Sequence, residues 1–226
     1  MKYLKLFENF EDIHKICKKY GIKNYTINND GTIDVDGDVY LWRKGFTKLP
    51  LKFNHVSGDF SCHYNKLTTL EGGPQSVGGD FVCSYNKLTI LEGGPKSVGG
   101  NFNCGRNNLT TLEGSPNSID GCFSCSANQL TTLVGCPKSV GGDFNCGRNK
   151  ILTFESAPNH VGGYFYCGDS PIFNIWYLFQ DYSKVELLND LDPIRGKDIL
   201  MDRFNTFLGM IGKDEVVSVK GYNCIN

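Results

Sequence analysis

The chain has 226 residues, with 23 Lys and Arg against 24 Asp and Glu, a formal net charge of −1, and 40% aliphatic, aromatic and Cys residues. That is enough apolar material for a core, and the even charge balance argues against a nucleic-acid partner, which usually shows as a basic excess. No run of about 18 apolar residues exists, so neither a membrane span nor a membrane partner is expected.

The N-terminal stretch MKYLKLFENFEDIHKICKKYG has charges spread through it and no small-residue cleavage site. It reads as an amphipathic helix and not as a signal peptide. Phe7, Phe10, Ile13, Ile16, Cys17 and Tyr20 recur at helical spacing over residues 6–20. Residues 1–27 are expected to form an N-terminal helical cap, in a chain that stays in a reducing cytoplasm.

Residues 28–175 repeat themselves. Cysteines stand at 62, 83, 104, 125, 146 and 167, always 21 apart, and a Phe stands two residues before each, from Phe60 to Phe165. Asn65, Asn86, Asn107, Asn128 and Asn149 follow the first five cysteines by three residues, and two apolar positions follow each Asn. A branched residue precedes each Phe by four, as in Val56, Val77 and Val98. Val35, Val39, Leu41, Phe46 and Leu49 fit the frame upstream; downstream, Ile172 and Ile175 keep the Leu positions while Ser170 replaces the Asn. About seven rungs result. Within DFVCS, Phe81 and Cys83 share one face of a strand while Asp80, Val82 and Ser84 face the other way. Such a strand needs a parallel neighbour, which the next copy supplies. Asn86 turns the chain and can bond free backbone groups of the next coil; Leu88 and Leu91 return to the core. Pro and the Gly pairs forbid a full helix on the far side, leaving extended or short 3₁₀ segments.

The recurring string FxCxxNxLTxLExxP resembles the leucine-rich repeat, with Phe81, Cys83, Asn86 and Leu88 in the matching places. It is most similar to the short bacterial type, although Glu92 stands where that type has Pro and a Gly pair lengthens the coil. The likeness covers roughly residues 35–175. It implies a curved parallel sheet of about seven rungs with little helix on the convex side and helical caps at both ends (α+β); a right-handed β-helix is the alternative architecture. The repeats also look like those of proteins in tailed-phage and bacterial genomes, which implies a source and, for a phage gene, the host cell cytoplasm, but no activity.

Cys is small and readily buried, so its recurrence reads as core filling and not as a metal or disulfide device. In CFSC, Cys122 should point outward and Cys125 inward, because positions three apart on a strand face opposite sides. His14, His55, His63 and His160 have no metal-ligand neighbour at usual spacing. No phosphate loop or catalytic pair is present, so no enzyme activity and no cofactor are expected.

Residues 176–226 change character and read as a C-terminal helical cap or small effector region. Trp176, Phe179 and Tyr182 fit one helix face; Ile199, Phe204, Phe207, Leu208 and Ile211 fit a second helix; EVVSVKGY suits a short strand.

Function is expected on the outward, concave face of the strands. Its candidate partner-binding residues are Asp38, Tyr40, Trp42, Asp59, His63, Asp80, Asn101, Asn103, Asn145, Tyr164 and Tyr166. Tyr64, Tyr85, Arg106 and Arg148 precede the Asn of their copies and line one rim. Exposed Tyr and Trp bring large contact area with a polar tip, though both aromatic rungs are terminal and could instead touch the caps. Arg106 and Arg148 suit a carboxylate or phosphate. The first reading is a non-enzymatic module that docks a protein, a host defence or regulatory factor if the gene is phage-borne; the alternative is sequestration of a small anionic ligand.

Overall fold

Each 21-residue copy folds as one coil, and the coils stack in register. The computed structural model describes residues 2–226, with side chains from residue 10 onward; the side chain of Phe7 lies outside the described residues. Seven strands, from Val39–Tyr40 to Phe165–Tyr166, form a parallel front sheet in strict chain order. Phe60 pairs with Phe81, Phe81 with Phe102, Phe102 with Phe123, and so on to Phe165. The register follows from the period: a slip of one residue would turn every Phe and Cys to solvent.

A second run of short parallel strands lies beside the first. Phe53–Val56, Ser76–Val77, Ser97–Val98, Ser118–Ile119, Ser139–Val140 and His160–Val161 carry the branched residues that precede each Phe by four. The sequence does not predict this side sheet, whose ladder is interrupted between Ser97–Val98 and Ser118–Ile119. A three-residue bend, Gly78-Gly79-Asp80 in one coil and with Gly at its centre in every coil, connects the two sheets, and the bends lie directly on one another. A Cβ on Gly78 would sit 2.1 Å from the carbonyl oxygen of Ser57, and one on Gly79 would sit 2.2 Å from Asp59 Oδ1. No side chain fits there, which explains the repeated Gly pair. The far side of the coils is extended, with no helix between residues 21 and 170.

The interior is a set of columns. Successive Phe rings from Phe60 to Phe165 lie 5.1–5.6 Å apart by centroid. Beside them run the cysteines, Leu67, Leu88, Leu109 and Leu130, and Leu70, Leu91, Leu112 and Leu133, all fully buried. Six cysteines, Cys62 to Cys167, fill the narrow interior as free thiols. Burial pushes the Cys62 and Cys167 thiols up to about 12, so they stay protonated and poor nucleophiles at neutral pH.

Both ends are covered, as an open-ended stack of coils requires. The N-terminal helix α1 (Lys2–Tyr20) starts earlier than the residue spacing suggests and buries Ile13 and Cys17 against the first coil. An antiparallel strand, Tyr25–Ile27, closes the first edge of the side sheet. At the other end, Phe165 meets Trp176 at 5.2 Å and Tyr182 at 5.0 Å. Those residues belong to α2 (Phe173–Phe179) and a 3₁₀ turn (Tyr182–Lys184), so Tyr182 is not on the same helix as Trp176. Two further helices follow, α3 (Val185–Leu191) and α4 (Met201–Met210). Ile199 lies in the strand Asp198–Leu200 and not in a helix: Pro193 stops α3 and Gly196, at φ 61°, turns a hairpin. The tail strand is Asn223–Ile225 and not EVVSVKGY. Ser170, in place of the repeated Asn, accepts a hydrogen bond from the Asn149 N–H at 3.0 Å and ends the polar column. Among the described residues, no helix is long and apolar enough to cross a membrane.

Candidate functional site

The front sheet sets each candidate side chain in a row with its counterparts, one rung of about 4.8 Å apart. Three rows result: the bend before the strand, the outward strand positions, and the turn after it.

The bend row is structural. Asp38 Oδ1 accepts the Asp59 N–H at 2.8 Å, Asp59 Oδ1 accepts the Asp80 N–H at 2.8 Å, and Asp80 Oδ1 accepts the Asn101 N–H at 2.7 Å. Asn101 continues to Cys122, and Asp143 to Tyr164, each at 2.8 Å. These side chains fold back along the stack to bond backbone donors that the tight bends leave over. Strand alternation places Asp38, Asp59, Asp80 and Asn101 on the outward face; the structure adds a second role, because one oxygen of each is committed to the next coil. Cys122 takes the same row position, is exposed, and accepts the Asp143 N–H through Sγ at 3.3 Å. Cys125, three residues on, is buried.

The outward row is aromatic at both ends and small between them. Tyr40 (49% exposed), Trp42 (43%), Tyr164 (72%) and Tyr166 (46%) remain open to solvent. The C-terminal cap covers Phe165 and leaves its two tyrosine neighbours outside. Tyr40 donates to Asp38 Oδ2 at 3.0 Å. Trp42 stacks on His63 at 5.8 Å and 11°. The His63 ring bonds Ser61 Oγ through Nδ1 at 2.6 Å. Burial, and then the nearby Arg43, hold the His63 imidazole below its ordinary value, so the ring is neutral at pH 7. In the middle, Asn103 and Asn145 are half-buried and turn their Oδ1 atoms onto the N–H of Gly105 and Gly147, at 3.0 and 3.1 Å.

The turn row carries the strongest organisation. Arg43, Tyr64, Tyr85, Arg106, Ala127, Arg148 and Asp169 all adopt left-handed backbone, with φ between 53° and 58°. For residues other than Gly this is uncommon and costs roughly 1 kcal/mol or more each. From Tyr64 to Arg148 the Asn that follows holds the conformation in place: Asn107 Nδ2 donates to the carbonyls of Cys83 and Cys104 at 3.1 and 3.0 Å, and its Oδ1 accepts the Leu88 N–H at 3.1 Å. The left-handed turn sends the preceding side chain out along one rim, where the copies stack. Tyr64 and Tyr85 lie 4.1 Å apart at 18°. Arg43 lies over Tyr64 at 4.9 Å and also against Trp42 at 5.8 Å; Arg106 lies over Tyr85 at 5.0 Å. The adjacent Tyr85 phenol raises the Tyr64 pKa. This four-member stack of cation, two rings and cation contains three of the rim candidates and adds Arg43, which the sequence reading misses. The signal was present: Arg43 stands 21 residues before Tyr64.

Farther along the rim, Ala127 leaves a gap. A notch of about 450 Å³ opens there between Arg106 and Arg148, lined by Ser126, Tyr166 and Asp169. Arg148 pairs with Asp169 at 3.4 Å, both well exposed. Among the described residues, no group of three or more His, Cys, Asp or Glu is placed to hold a metal ion. Comparisons with protein-family models, with curated proteins and with solved structures find no match for this chain.

Proposed function

We propose that the chain is a non-enzymatic protein-binding module built on repeats of the leucine-rich class, and that it docks its partner across the outward face and the rim of the front sheet. The carrying observation is the exposed aromatic and arginine cluster of Trp42, His63, Arg43, Tyr64, Tyr85 and Arg106, which no cap covers. Large aromatic rings that already stack lose little conformational freedom on binding, and Tyr, Trp and Arg dominate interface hot spots. The Asn that closes five of the turns, buried at Asn107, Asn128 and Asn149, supports the leucine-rich class; the side sheet is a feature shared with β-helical coils. The resemblance to phage repeat proteins favours a host protein, such as a defence or regulatory factor, met in the host cytoplasm. The notch between Arg106 and Arg148 favours a second reading, capture of a small anion.

The test is capture from host lysate with identification by mass spectrometry, followed by affinity measurements on single variants. Tyr40→Ala and Tyr166→Ala should each weaken partner binding by about 1 kcal/mol or more, with melting temperature little changed because both side chains lie outside the core. Normal binding by both would move the interface to the far side of the coils or to residues 176–226. A small molecule released on denaturation, with no captured protein, would favour the second reading.

A further inference from the structure

The near-zero net charge conceals two lines of opposite sign. The turns that end the front strands, residues 43–45, 64–66, 85–87, 106–108, 127–129, 148–150 and 169–171, carry Arg43, Lys44, Lys66, Lys87, Arg106, Arg148 and Lys150 against one acid, Asp169. The bends that begin the same strands, residues 36–38, 57–59, 78–80, 99–101, 120–122, 141–143 and 162–164, carry six aspartates and no Lys or Arg. Because the coils stack in register, each set becomes a rail running along the molecule. The strand between them, from residue 59 to 64 in the second rung, sets the rails about 16 Å apart. All seven basic side chains are exposed, and among the described residues only Arg148 has an ion-pair partner.

Resting on the protein-binding reading, we propose that the basic rail docks an extended acidic segment of the partner, and that the acidic rail across the sheet keeps that segment on the basic rim. Basic residues occupy rungs one to four and six, a span of about 24 Å at strand spacing, which seven or eight extended residues cover. Arg43 and Arg106 are held over the tyrosine rings, so their guanidinium edges face outward with part of their side-chain entropy already spent, in a geometry suited to paired bonds with carboxylates. A nucleic-acid strand fits less well. Single-strand binders stack bases on free aromatic faces, but both faces of Tyr64 and Tyr85 are taken, by each other and by the two arginines.

The test uses fluorescence anisotropy with three labelled probes, octaglutamate, octalysine and an oligothymidylate of eight nucleotides, on the full chain at low and at physiological salt. Octaglutamate should bind best and weaken as salt rises. The triple variant Arg43→Ala/Arg106→Ala/Arg148→Ala should lose roughly tenfold or more of that affinity, as three exposed ion pairs suggest. Ala is tolerated at this turn, since Ala127 occupies it at φ 56°. Lys96→Ala/Lys138→Ala, off the rail and exposed, should bind as the parent does. Equal or tighter binding of the oligothymidylate would overturn the proposal in favour of nucleic acid. An unaffected triple variant, or no octaglutamate binding, would overturn it outright. If the rail fails while Tyr40→Ala and Tyr166→Ala still weaken a captured protein, the protein-binding reading stands without it.

Discussion

Replacing Phe102 with Ala should cost about 3–5 kcal/mol of stability, read from denaturant unfolding, with the protein still folded at low temperature. The ring is 1% exposed and lies between Phe81 at 5.1 Å and Phe123 at 5.4 Å. Removing it takes out a buried aromatic side chain and opens a gap in the middle of the column. The coils on either side are held apart by their own strand ladders, so they cannot collapse into the space, and the upper part of the range is expected. A loss below about 1 kcal/mol would mean that Phe102 does not sit where the register places it.

The second large effect is polar. Asn107 is 6% exposed, and its side chain joins two consecutive coils: it reaches back to the Cys83 carbonyl and the Leu88 N–H while closing its own turn on Cys104 and Gly105. Asn107→Ala leaves the buried Leu88 N–H without its partner, which costs about 1–3 kcal/mol, while the Cys83 and Cys104 carbonyls each lose one donor and keep another, from Asn86 and Asn128. With the lost carbonyl bonds added, the expected total is about 2–3 kcal/mol, close to loss of a core ring although only a few polar atoms go. The same variant removes the support of the left-handed turn at Arg106 and should loosen the stack on Tyr85. Two readouts check it: the unfolding midpoint, and the aromatic circular dichroism of the native protein. A variant as stable as the parent would contradict the Asn column.

The columns were legible in the sequence because a 21-residue period writes each one out as a vertical list. Phe, Cys, Asn and Leu recur without interruption, and strand alternation sorts inward from outward for Phe81 and Cys83 as for Cys122 and Cys125. The side sheet was not legible, since a strand of two residues such as Ser76–Val77 has no alternation to detect. The structural role of Asp59 and Asp80 was not legible either. They stand at a bend, where a short carboxylate can reach the N–H of the next coil, and the strand rule does not apply there. The rim stack depended on a backbone conformation. Only left-handed turns at Arg43, Tyr64, Tyr85 and Arg106 align those side chains, and Tyr or Arg before Asn gives no hint of positive φ. In the C-terminal region no period helps. The cluster at Phe204, Phe207 and Leu208 forms a helix as its spacing suggests, while Ile199 is drawn into a strand by the turn at Gly196.

The central claim is that the molecule is a stack of interchangeable coils in a single register, and excision of a coil tests it most directly. Deleting residues 98–118 removes one 21-residue period and joins Ser97 to Ile119, which takes the place of Val98 in the side sheet. Every Phe, Cys, Asn and Leu then meets its counterpart one copy on. Deleting residues 98–108 removes about half a period and sets core positions against surface ones throughout the rest of the chain. The account predicts that the first variant folds cooperatively, with a strand signal in circular dichroism and a lower but distinct melting transition, while the second is unfolded or aggregates. Two equally folded variants, or two equally unfolded ones, would contradict it.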